Sequence, residues 1–66
     1  MTQEYANSRV IELIGEYIHS TRDRDILRDN LVDGLSYDQL ADKYHLSYDR
    51  IKIIVRKGKI AIFKHY

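Results

Sequence analysis

At 66 residues, with 11 Lys and Arg against 10 Asp and Glu for a net charge of +1, the chain reads as one domain over residues 1–66. A chain this short buries only about 60% of its unfolded surface. It has no cysteine, which excludes disulfide staples and thiolate metal sites, and no proline, which suits a mostly helical chain. No run reaches the ~18 apolar residues of a membrane span and MTQEYANSRV lacks the basic and apolar regions of a signal peptide, so a soluble, cytoplasmic protein is expected.

In chain order, Val10, Leu13, Ile14, Tyr17 and Ile18 recur at the spacing of an amphipathic helix. Asn7 or Ser8 is its expected N-cap. His19 is expected in its last turn, where positive charge complements the helix dipole. Ser20 and Thr21 offer the next N-cap, with Asp23 and Asp25 suited to the first turn. That second helix carries Ile26, Leu27, Leu31 and Val32, and Gly34 is its expected C′ stop.

The stretch LSYDQL holds the strongest start signal. Ser36 stands as N-cap with Gln39 at N3 of a capping box, and Leu35 and Leu40 occupy the positions of a hydrophobic staple. Leu40, Ala41 and Tyr44 form the inner face of a short third helix. After HLS, Ser47 is the next N-cap, with Leu46 and Ile51 at the staple positions and Asp49 in the first turn. The fourth helix buries Ile51, Ile54, Val55 and Ile62. Gly58 offers a stop, after which KIAIF would be a strand. Because Ile51, Val55, Gly58 and Ile62 keep helical spacing, a continuous helix to about residue 63 is the favoured reading. The expected architecture is all-α: a small four-helix domain with a C-terminal helix-turn-helix at about residues 36–57.

The net charge conceals a division. Residues 1–42 hold four basic and nine acidic groups, a net −5, while residues 43–66 hold seven basic groups and one acid, a net +6. The basic half suits a polyanion, and the acidic half would be repelled by phosphate and so orient binding. The plainer reading is that the two halves attract each other inside the fold. A helix-turn-helix also needs a small residue where its helices approach, an apolar residue in the elbow, and two apolar residues three apart on the second helix. Ala41, Leu46, and the pair Ile51 and Ile54 meet these needs. The short turn would then present the last helix to a major groove about 12 Å wide.

From GLSYDQLAD through HLSYDRIK to the basic RKGK, roughly residues 21–63 resemble region 4 of bacterial sigma-70-type factors and related phage-encoded activators. The resemblance implies promoter DNA as ligand and RNA polymerase as a further partner. It implies that Ser47, Tyr48, Asp49, Arg50, Lys52, Ile53 and Arg56 lie on or near the DNA-facing side of the recognition helix, with Ser36 and Tyr37 near the backbone. His45 stands where the family commonly has glycine, at a spot that often takes a left-handed conformation. Arg50 stands where a smaller residue is common. A compact chain of this type fits a phage or mobile-element origin.

Arg50, Lys52, Arg56, Lys57 and Lys59 are the candidate phosphate and base contacts; the bland alternative is a solvated face. Tyr48 either meets a phosphate or thymine methyl or packs its ring on the elbow. Ile53 lies off the core face and would meet a thymine methyl or an apolar partner. Tyr44 is expected in the core, and Tyr37 is open. His19, His45 and His65 lack metal-site spacing, so no metal or cofactor is expected. The acids of residues 1–42 are expected to form a solvated face. With no glycine-rich phosphate loop, no cysteine and no compelling pair of carboxylates placed in a pocket, an enzyme is not expected.

Two functions follow. The first is a sequence-specific transcriptional regulator that reads double-stranded DNA with the helix from about residue 48. One short helix gives limited specificity, so either a homodimer through the N-terminal helix, where Ile11 borders the apolar stripe, or a partner such as RNA polymerase is expected. The alternative is a protein-interaction module of the same shape that binds polymerase or another regulator.

Overall fold

The computed structural model describes residues 7–66. Four helices follow in order: α1 (Asn7–Tyr17), α2 (Thr21–Leu31), α3 (Tyr37–Tyr44) and α4 (Tyr48–Phe63), with no strand among the described residues. None of these helices is long and apolar enough to cross a membrane.

The helix starts follow from short-range chemistry. Ser20, Ser36 and Ser47 each take an extended backbone, and each hydroxyl oxygen accepts from the amide three residues on. Ser36 and Gln39 complete the capping box: the Gln39 amide donates to Ser36 Oγ at 3.2 Å, and the Ser36 amide donates to Gln39 Oε1 at 2.8 Å. Asp23 falls in the first turn of α2; Asp25 lies beyond it. Asn7 and Ser8 are helical residues of α1 and not its cap, whose place lies outside the described residues.

Two expected helix ends move. His19 is not in the last turn of α1, which closes at Tyr17. Arg24 of α2 supplies the cation instead: its Nε donates to the Ile18 carbonyl, and Nη2 donates to the Gly15 carbonyl at 3.4 Å. These bonds satisfy carbonyls that the helix leaves without partners. At the end of α2, Val32 is the C-cap, and Gly34 follows two residues later at φ +79°, one position beyond the expected C′. The Leu35 amide returns to the Asp29 carbonyl at 3.0 Å, and Asn30 Nδ2 donates to the Leu35 carbonyl at 2.9 Å. These bonds fold the α2–α3 connection back onto its helix.

The core is built from the expected stripes. Val10, Leu13 and Ile14 of α1, Ile26 and Leu27 of α2, Leu40 of α3, and Ile51, Ile54, Val55 and Ile62 of α4 form one buried cluster. Ile18, Leu31, Val32, Leu35, Ala41, Tyr44, Leu46 and Phe63 pack around it, half-buried. Helix α4 is the hub, packing on all three others, while α1 and α3 do not meet. It runs unbroken through Gly58 to Phe63, so KIAIF is helix and not strand. Gly58 is buried against α2. An added Cβ there would lie 2.6 Å from Leu27 Cδ2 and 2.9 Å from Leu27 Cγ. The missing side chain is what lets α2 and α4 approach.

The chain end returns to α1. The His65 ring stacks on Tyr17, with centroids 3.9 Å apart and planes 5° from parallel, and an Arg9 amino group donates to the His65 carbonyl at 3.4 Å. Tyr17, expected on the apolar stripe, is 38% exposed even with one ring face covered by the tail.

Candidate functional site

Helices α3 and α4 are joined by His45, Leu46 and Ser47 alone. His45 is the C-cap of α3, at φ 58° and ψ 41°, and is the one non-glycine residue with positive φ among those described. Its amide donates to the Ala41 carbonyl, as does that of Leu46 at 3.0 Å. Leu46 tucks its side chain against the core, and Ser47 starts α4 at once. The left-handed residue, the apolar elbow and the cap together set the angle between the two helices.

The first residues of α3 and α4 meet. Tyr37 and Tyr48 pack edge to face, with ring centroids 5.7 Å apart and planes at 71°. The N-terminal ends of both helices therefore share one side of the molecule. Tyr37 is half-buried and Tyr48 exposed, so Tyr48 has both an elbow contact and a solvent-facing ring. Ser36 and Ser47 sit at the same end. Each hydroxyl oxygen accepts a backbone amide, and its proton remains available to an anionic acceptor.

Helical geometry sorts the rest of α4. With Ile51, Ile54, Val55, Gly58 and Ile62 buried, the opposite side carries Asp49, Ile53, Arg56 and Ile60. Arg50, Lys57 and Lys64 run along one flank, and Lys52 and Lys59 along the other. Asp49, Arg50, Lys52, Ile53, Arg56 and Lys57 are exposed. Lys59 is half-buried, one heptad behind Lys52, and does not join the group at the helix start.

Ile60 is the residue the sequence reading left unassigned. It is 68% exposed, more than Ile53 at 44%. Ile53, Arg56, Lys57 and Ile60 line a shallow groove of about 240 Å³. The signal was present: Ile60 follows Ile53 by seven residues, and Ile53 had already fallen off the core stripe.

Electrostatics within the domain separate the two halves of the sequence. Among the described residues, Lys43 is the one cation of the basic half in an ion pair; its Nζ lies 2.8 Å from Asp29 Oδ2. Arg50, Lys52, Arg56, Lys57, Lys59 and Lys64 form no ion pair with any described residue. Among the described residues, ion pairing between the halves therefore leaves the cations of α4 unpaired.

Asp29 corrects the expectation of a wholly solvated acidic face. It is 8% exposed on α2 and accepts from Lys43 and, at 2.5 Å, from the Tyr44 hydroxyl. Burial opposes its ionisation. The hydrogen bonds from Lys43 and Tyr44, with the Lys43 charge, outweigh burial and hold the carboxyl below its ordinary value. Burial and the bond to Asp29 push the Tyr44 phenol above its own. Tyr44 is thus a half-buried bridge between α2 and α3, with its polar end satisfied. This trio ties α3 to α2.

No group of three or more His, Cys, Asp or Glu side chains among the described residues is placed to hold a metal ion. No protein-family model, characterised protein or solved structure matches the chain.

Proposed function

We propose that this chain is a sequence-specific DNA-binding transcriptional regulator that inserts the N-terminal half of α4 into a major groove. The observation that carries this reading is the unneutralised basic surface of α4, borne on a helix whose start is held by a three-residue connection. Lys52, Lys57 and the hydroxyls of Ser36, Tyr37, Ser47 and Tyr48 suit phosphate oxygens; Arg50 and Arg56 suit guanine edges. The acidic residues of α1 and α2 are repelled by the duplex and favour approach by α4. A second copy joined through α1, where Ile11 is 37% exposed, would double the contact.

The test is selection of bound sequences from a random duplex pool, with affinity measured at two salt concentrations. The expected result is an enriched motif bound much more tightly than scrambled DNA, and a palindromic motif would report two-fold symmetry. No enriched motif, with weak binding lost at moderate salt, would overturn it.

A second reading has its own observation. The apolar groove between Ile53 and Ile60, edged by Arg56 and Lys57, suits an amphipathic acidic helix of a protein partner such as RNA polymerase. It predicts sequence-blind DNA binding and a defined protein complex.

A further inference from the structure

Phosphate binding leaves Ile53 unexplained. It lies on the second turn of α4, 44% exposed, on the side directly opposite the core. Asp49 and Arg50 flank it one turn before, and Arg56 and Lys57 one turn after.

The edges of a major groove carry one apolar feature. Guanine, cytosine and adenine present donors and acceptors alone, whereas thymine adds its C5 methyl group. A branched apolar side chain in the centre of a reading face packs well on that methyl. Opposite any other base it removes water from polar atoms and gives nothing in return. Resting on the proposed DNA reading, we infer that Ile53 recognises a thymine through its C5 methyl. Arg50 and Arg56 bracket it and read guanines on either side. From Arg50 to Arg56, α4 rises by about 9 Å, the length of two to three base steps of about 3.4 Å. The recognised core is therefore a thymine bracketed by guanines within about three to four base pairs.

The experiment uses the full chain and the duplex obtained by selection. Each thymine is replaced in turn by deoxyuracil, which removes one methyl group and nothing else. At one position per half-site the replacement is expected to weaken binding about four-fold, the effect of about one buried carbon. Ile53→Ala is expected to abolish that difference. Ile60→Ala, about 10 Å further along the helix, is expected to retain it. Both positions are exposed, so circular dichroism should show both variants folded. Affinities that stay within about 1.5-fold of the parent duplex at every replacement would overturn the thymine contact while leaving sequence-specific binding intact. A four-fold loss that persists in Ile53→Ala would also overturn it. Selection that yields no motif overturns the DNA reading itself, and the inference with it.

Discussion

Asp29 lies between α2 and α3 with two hydrogen-bonding partners, and the balance of forces on it can be read through pH. Its folded value is depressed, below an unfolded value of about 3.9. The stabilisation it supplies is therefore present above about pH 4 and is lost as pH falls through the lowered folded value. Lys43 is 53% exposed, so solvent screens its share and most of the effect rests on the hydrogen bonds. Asp29→Asn is expected to cost about 1–2 kcal/mol at neutral pH. That cost should shrink in acid, measured by denaturant unfolding at pH 7 and at pH 3. An equal cost at both would mean that the carboxylate charge is unimportant. His45 shows the other kind of residue-scale constraint. A non-glycine in the left-handed region costs about 1 kcal/mol, and the domain accepts this to keep the connection to three residues.

Single glycines decide how the elements pack. Gly58 and Gly15 both lie inside helices, where alanine is favoured by about 1 kcal/mol in an open environment. At Gly15 an added Cβ would meet nothing within 4 Å. At Gly58 it would meet the fully buried Leu27 side chain closely enough that something must shift. Gly15→Ala is expected to stabilise the domain by about 0.5–1 kcal/mol. Gly58→Ala is expected to destabilise it by about 1–3 kcal/mol through overpacking. Thermal unfolding of the two variants should move in opposite directions; a shift of the same sign would show that the α2–α4 contact yields to a methyl group. The starts of α2, α3 and α4 were legible in the sequence because Ser20, Ser36 and Ser47 each act over three residues. The end of α1 was not legible, because Arg24, nine residues beyond Gly15, supplies the closing cation.

At the scale of the molecule, the uneven charge of the chain becomes a surface. The acidic half gives up Asp29 to Lys43, and the remaining cations of the basic half are left without ion pairs among the described residues. On the proposed function, Lys52→Ala and Lys57→Ala should each weaken duplex binding and lower the slope of log affinity on log salt by about 0.9. Circular dichroism should be unchanged, since both residues are exposed. Titration across salt concentrations measures this, and wild-type slopes in both variants would remove α4 from the interface. The candidate residues were legible to different degrees. The polarity and spacing of Arg50, Lys52, Ile53, Arg56 and Lys57 put them off the core stripe, and the fold exposes them. Lys59, equally basic, is half-buried, because its place on α4 turns it toward the neighbouring packing. By itself the sequence determined the four helices, the serine caps of α2, α3 and α4 and the apolar stripes, since all of these depend on neighbours within one or two turns. Only the tertiary structure decided that Asp29 is buried and that the ring of His65 covers Tyr17. Those outcomes depend on which helix faces which, and the residues concerned meet across long stretches of chain that no local period encodes.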